Sequence, residues 1–110
     1  MSDEERIART EAVFREVNEA IARTAENLEA DETEFVCECA DPDCAQRVTA
    51  ELMEYEAVRE HATHFILAPG HEKESVERVV ERRRGYAVVE KIERTVVRIV
   101  RQLNPRARPA

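Results

Sequence analysis

The sequence is poor in aromatic residues: of its 110 residues none is Trp, two are Tyr and three are Phe. Its core must therefore be built mainly from Val, Ile, Leu and Ala, and such a core is thin for a chain of this length. A domain of this size buries only about 60–68% of the surface that its unfolded chain exposes, so a metal cross-link would add usefully to its stability.

Segments that would direct the chain to a membrane or out of the cell are also missing. No run of about 18 apolar residues occurs, which argues against a membrane-spanning helix. The first five residues are Met-Ser-Asp-Glu-Glu, acidic where a signal peptide would be basic and then apolar. We therefore expect a cytoplasmic protein.

The cysteine count argues against a disulfide framework. The chain has three cysteines, Cys37, Cys39 and Cys44, which all lie between positions 37 and 44. An odd, clustered set is hard to pair in disulfides, whereas the reducing cytosol keeps thiolates available for a metal.

The overall composition is that of one small folded domain. Hydrophobic residues make up 43% of the chain and charged residues 37%, too apolar for a disordered chain and more charged than the roughly 25% of an average domain. The net charge of −7 divides into −7 for residues 1–34, −5 for residues 35–93 and +5 for residues 94–110. The acidic body disfavours general duplex binding, and the basic end fits the C-terminus of a helix.

The first part of the chain predicts one long helix, because residues 3–29 contain no Gly or Pro and are mostly good helix formers. Apolar side chains recur along one face of it at heptad spacing: Ile7, Phe14, Ile21 and Leu28, with Val17 between them and Val13 and Ala20 alongside. Thr10 and Thr24 occupy positions where a strict coiled coil prefers Leu. The stripe therefore predicts a helix lying on a sheet or against a partner helix.

The remainder predicts short elements joined by turns. Strands are predicted over residues 34–39, 47–52 and 65–68, a short helix over 54–60, and a C-terminal helix over 93–103, where a strand is the alternative. Residues 76–82 and 86–92 favour a hairpin over a helix beginning at Ser75, because they are rich in Val and because Gly85 can adopt a positive φ. The predicted fold class is α+β, with a long N-terminal helix, a small antiparallel sheet and a C-terminal helix.

The cysteines form the clearest functional pattern. Cys37 and Cys39 lie one residue apart at the end of a predicted strand, where alternation directs both to the same face. The turn Ala-Asp-Pro-Asp then brings Cys44 round towards them. Tetrahedral zinc takes four ligands and Cys3His is a common structural set, so we predict a zinc knuckle with His71 as the fourth ligand. Zinc is favoured over an iron–sulfur cluster, which usually takes four thiolates.

Two other histidines, or an acid or a water molecule, compete for the fourth position. His61 is predicted at the end of a polar helix and His64 just before a strand, whereas His71 follows Pro69-Gly70, where a tight turn can direct its side chain to a neighbouring strand end. Glu72 is a candidate hydrogen-bond acceptor for His71. Ordinary buried cysteines are the alternative to a metal site.

The chain resembles a zinc-knuckle-like family of small, uncharacterised bacterial proteins of actinobacterial type. The matching blocks are residues 35–44 (Phe-Val-Cys-Glu-Cys-Ala-Asp-Pro-Asp-Cys), 54–59 (Glu-Tyr-Glu-Ala-Val-Arg), 69–72 (Pro-Gly-His-Glu) and 85–91 (Gly-Tyr-Ala-Val-Val-Glu-Lys). The resemblance implies Cys37, Cys39, Cys44 and His71 as metal ligands but no particular activity. Residues 94–101 are more basic than the corresponding helix of the family.

We expect a single zinc-stabilised domain over residues 1–110, with the long helix in 1–32, the knuckle, sheet and short helix in 33–92, and the C-terminal helix and basic tail in 93–110. Because a nucleophile–base pair and a Gly-rich phosphate loop are both missing, we expect no enzyme. The favoured function is a protein-interaction or regulatory module, with a protein partner or self-association through the N-terminal helix. The alternatives are a nucleic-acid-binding regulator using Arg82, Arg83, Arg84 and the arginines from Arg94 to Arg108, and a thiol/zinc redox switch.

Overall fold

The computed structural model describes residues 1–107 and confirms the α+β class. In chain order the elements are α1 (Asp3–Asn27), β1 (Glu32–Val36), β2 (Arg47–Glu51), α2 (Leu52–Arg59), β3 (His64–Leu67), β4 (Glu77–Arg83), β5 (Tyr86–Lys91) and α3 (Arg94–Gln102). Within these residues no helix is both long and apolar enough to cross a membrane. Of the arginines considered above, Arg108 lies outside the described residues.

Local interactions define both ends of helix α1. The Ser2 side chain caps its N-terminus by accepting a hydrogen bond from the Glu5 amide, and three acidic residues occupy the first turn, where they complement the helix dipole. The helix ends at Asn27, and Glu29 then adopts a positive φ of 55° that turns the chain towards β1.

Two small antiparallel sheets replace the single sheet that the sequence predicts. Strands β1 and β2 form one, and the other has the order β3-β5-β4. The predicted hairpin is confirmed as β4 and β5, with Gly85 at a φ of 90° between them. The chain beyond β1 leaves its partner strand and reaches β3, since the Glu38 amide donates to the Ile66 carbonyl at 2.8 Å. The two sheets therefore meet at residues 37–39.

The face that α1 presents to the rest of the domain overlaps the predicted heptad stripe only in part. Ile7 is buried, but Val13 is 61% exposed, Val17 42% and Leu28 74%. The stripe is therefore divided: Ile7 lies in the core and Ile21 packs partly against it, whereas Val13, Val17 and Leu28 face solvent. The buried face instead combines small apolar and polar residues: Ile7, Ala8, Ala12, Ala22 and Ala25 with Glu11, Arg15, Asn18 and Glu19.

Directional bonds explain how so polar a face can be buried. The Arg15 guanidinium donates to the carbonyl oxygens of Ala62 at 2.8 Å and Val100 at 2.7 Å. Glu19 accepts from Arg59 at 2.7 Å. Each contact joins α1 to a different part of the fold, and buried polar groups are tolerated when they find such partners.

A cationic layer on Phe65 completes this polar interior. The Arg15 guanidinium carbon lies 4.6 Å from the ring centroid of Phe65, and the Lys91 ammonium lies 4.7 Å from it. Lys91 also binds the carboxylates of Glu11 and Glu77. Charge pairs and hydrogen bonds thus act together with apolar packing to hold helix α1 in one rotational setting.

Candidate metal centre

The segment that carries the cysteines is shaped by backbone hydrogen bonds. The Cys37 amide donates to the Gln46 carbonyl at 3.1 Å, at the loop end of the β1–β2 strand pair. Asp41 organises the predicted turn: its side-chain oxygen accepts from the Asp43 amide at 2.9 Å, and its carbonyl accepts from the Cys44 amide at 3.1 Å. The turn brings Cys44 back to the two earlier cysteines.

His71 is positioned by a tight turn that follows β3. The His71 amide donates to the Ala68 carbonyl at 3.1 Å, and Gly70 between them has a φ of 83°. Proline followed by a glycine of positive φ is the pattern of a type II turn. The turn therefore directs the imidazole towards the cysteines, as the sequence indicates.

The four side chains converge on one point. The Nδ1 atom of His71 lies 3.6 Å from the Sγ atoms of both Cys37 and Cys44. All four candidate ligand atoms, including that of Cys39, lie within 4.8 Å of one another. For tetrahedral zinc, with Zn–S near 2.3 Å and Zn–N near 2.1 Å, geometry requires an S···N separation of roughly 3.6 Å and an S···S separation of roughly 3.8 Å. The two S···N separations match the tetrahedral value, and the donor set is one that can hold a metal ion.

Burial makes this group of thiols costly to ionise on its own. Cys37 is 1% exposed and Cys39 2%, whereas Cys44 is half-buried. Burial raises the pKa of the Cys37 thiol, and so does the proximity of Cys39 and Cys44. The Ala68 amide opposes this by donating to Cys37 Sγ at 3.1 Å. Burial likewise raises the pKa of Cys39. A divalent cation would offset the charge of thiolates held this close.

Glu38, between the two buried cysteines, has a role that sequence reasoning missed. Its side chain is fully buried and accepts hydrogen bonds from the Asn18 amide group and the Ile66 backbone amide, both at 2.9 Å. Burial raises its pKa, and the two hydrogen bonds oppose that change. Glu38 therefore joins β1, β3 and α1 behind the candidate metal centre. The position of an acidic residue between Cys37 and Cys39 was only a weak sequence signal for this role, because acidic residues are common throughout the chain.

The competing ligands lie elsewhere. The rings of His61 and His64 pack against each other with centroids 4.3 Å apart and their planes tilted by 32°, and His64 Nε2 lies 3.6 Å from a carboxylate oxygen of Glu90. Neither belongs to the cysteine cluster. The expected hydrogen bond from His71 to Glu72 is not found, since Glu72 Oε1 is buried with no partner among residues 1–107.

The arginine-rich segments contribute in part to the fold. Arg106 binds the carboxylates of Glu19 and Glu56, and Arg83 pairs with Glu81 on its own strand. These guanidinium groups already have acidic partners, whereas phosphate binding needs them to be available. The nucleic-acid interpretation stays a prediction.

No protein-family model matches the chain, and searches of curated proteins and of solved structures also found no match.

Proposed function

We propose that the chain is a small zinc-stabilised interaction module, in which Cys37, Cys39, Cys44 and His71 hold one structural zinc ion. The observation that carries this proposal is the pair of 3.6 Å separations between His71 Nδ1 and two cysteine sulfurs, which match tetrahedral zinc. Zinc supplies a closed, redox-inert cross-link when it has four such ligands.

The origin of the ligands supports a structural role. Cys37 and Cys39 follow β1, Cys44 precedes β2, and His71 follows β3. A shared ion would therefore tie the two-stranded sheet to the three-stranded sheet through Cys37 and His71, which are 34 positions apart in the chain. Catalytic zinc usually keeps an open position for water, whereas thiolate-rich sites with four protein ligands are closed. We accordingly propose a binding role rather than a catalytic one.

Native mass spectrometry of the chain purified without added metal tests the proposal. We expect one zinc per chain, retained in His61→Ala and lost in His71→Ala. His61 is the matched control because it is another histidine of the same domain that lies outside the cysteine cluster. A wild-type chain without metal, or one whose zinc survives His71→Ala, would contradict the assignment.

A thiol switch is the second candidate, favoured by the exposure of one ligand. Cys44 is half-buried whereas the other two cysteines are buried, so peroxide can reach its sulfur first. One hydrogen peroxide would oxidise two thiolates to a disulfide, take up two protons and leave as two waters, and the ion would be released. A peroxide titration in which the released zinc is measured tests this function. If the chain retains its zinc at stoichiometric peroxide, the thiol-switch function is excluded.

A further inference from the structure

The outward face of α1 carries a mainly apolar strip that includes one threonine and, at its inner edge, the half-buried Ile21. We call it the outer stripe and define it as Val13, Val17, Ala20, Ile21, Thr24 and Leu28. Val13 is 61% exposed, Val17 42% and Leu28 74%, and a shallow groove runs along Val17, Ala20, Ile21 and Thr24. Contiguous exposed apolar surface of this kind marks an interaction site more often than scattered single residues do.

A row of alternating charge borders the outer stripe. Arg9, Glu16 and Arg23 are exposed and recur every seven residues, so they share one edge of the helix. Within residues 1–107 neither Glu16 nor Arg23 takes part in an ion pair. Both therefore remain free for a partner.

We propose that a second copy of this chain covers the outer stripe, with the two α1 helices antiparallel about a two-fold axis that passes between Glu19 and Ala20. Glu16 and Arg23 lie at equal distances of about 5 Å along the helix from that point. In an antiparallel pair the same edges of the two helices face each other, so Glu16 of each copy lies opposite Arg23 of the other and two equivalent ion pairs form. A parallel pair gives no such match. The inference rests on the proposed interaction role and specifies its partner.

The side chains near the axis suit close helix packing. Ala20 is small, which lets the two backbones approach to within about 8–10 Å. Thr24 can be desolvated at low cost because its hydroxyl donates to the Ala20 carbonyl at 3.1 Å and so keeps a partner when buried. In this register Val17 packs against Ala20 and Thr24 of the second copy. A contact of this length is small, and we expect a dissociation constant on the order of 10 µM.

Substitution of the central valine tests the surface. Native mass spectrometry and light scattering of the full zinc-loaded chain, from about 1 to about 200 µM, should show a concentration-dependent dimer. Val17→Lys should weaken it about 100-fold, because two ammonium groups would face an apolar contact. Val80→Lys is the matched control, since Val80 on β4 is also 42% exposed, and it should leave the dimer unchanged. A wild-type monomer at all concentrations, or a dimer unaffected by Val17→Lys, would overturn the inference.

Charge exchange tests the register. Glu16→Arg and Arg23→Glu should each weaken the dimer about tenfold, and the double variant should return to within about threefold of the wild type. Failure of the double variant to recover would exclude the antiparallel register. The same spectra report the zinc content, so a monomer that retains one zinc refutes the dimer alone, whereas a metal-free chain refutes the proposed metal site.

Discussion

Replacement of Glu11 by Gln should change how the stability of the protein depends on pH. Glu11 is fully buried on α1, and its Oε2 atom accepts from the Lys91 ammonium at 2.7 Å. Lys91 also binds Glu77, so one cation faces two carboxylates. Burial raises the pKa of Glu11 to about 7; Glu77 and Glu38 add to the effect, and Lys91 opposes it.

The direction of the effect follows from the raised pKa. Between pH 4.5 and about 7 the folded chain keeps a proton on Glu11 that the unfolded chain has lost, so the free energy of unfolding must fall as pH rises through this window. The contribution is fully present below the unfolded pKa and is lost above the folded one. With these two pKa values it amounts to about 2 kcal/mol at about pH 5.5 and close to zero at about pH 8.

Urea unfolding followed by circular dichroism, at several pH values from about 5.5 to about 8, measures this contribution. Glu11→Gln cannot titrate, so its free energy of unfolding should gain about 2 kcal/mol relative to wild type across that range. Asn27→Ala, an exposed substitution on the same helix that removes no titratable group, serves as control and should give a constant difference. A constant difference for Glu11→Gln, or one of opposite sign, would refute the raised pKa.

Two further substitutions test the other stabilising features. Cys44→Ser should lower the melting temperature by at least about 15 °C, because structural zinc contributes several kcal/mol to folding. In scanning calorimetry a chelator should not change the melting temperature of the variant, which should equal that of the chelated wild type. A variant that melts like the untreated wild type would contradict the role of Cys44. Asn18→Ala should lower the free energy of unfolding by about 3 kcal/mol, because the Val36 amide and the Glu38 carboxylate lose their hydrogen bonds to Asn18 of 2.8 and 2.9 Å. Urea unfolding measures this loss against the exposed control Asn27→Ala. Equal losses for the two variants would contradict the role of Asn18.

The elements that were predicted correctly are those whose signals are local. The hairpin of β4 and β5 follows from β-branched residues on either side of Gly85, which has the positive φ that its turn requires. The position of His71 beside the cysteines follows from the turn at Pro69-Gly70. In both cases a few adjacent residues determine the backbone, so the sequence pattern carries enough information.

The orientation of α1 could not be predicted from its own residues. Heptad spacing identifies an apolar face but does not say whether that face meets the core of its own chain. The decisive contacts are Arg15 with the Val100 carbonyl and Glu11 with Lys91, which are separated by 85 and 80 residues in the chain. Hydrophobicity patterns place Glu and Arg in solvent, and only the three-dimensional positions of their partners reverse that expectation.

The polar underside of α1 and its apolar outer face have a common physical explanation. Apolar packing is tolerant of rotation, whereas hydrogen bonds and charge pairs require particular distances and angles, so they hold a helix in one setting. Asn18 reaches Glu38 behind the candidate metal centre, and Glu19 reaches Arg59 on α2, so α1 is fixed at both of these points. Because its inward face is shared between polar contacts and mostly small apolar side chains, the larger side chains of Val13, Val17 and Leu28 are left facing outward. A helix buried by its apolar side would leave no such surface, and the polar interior is therefore what makes the outer stripe available for association.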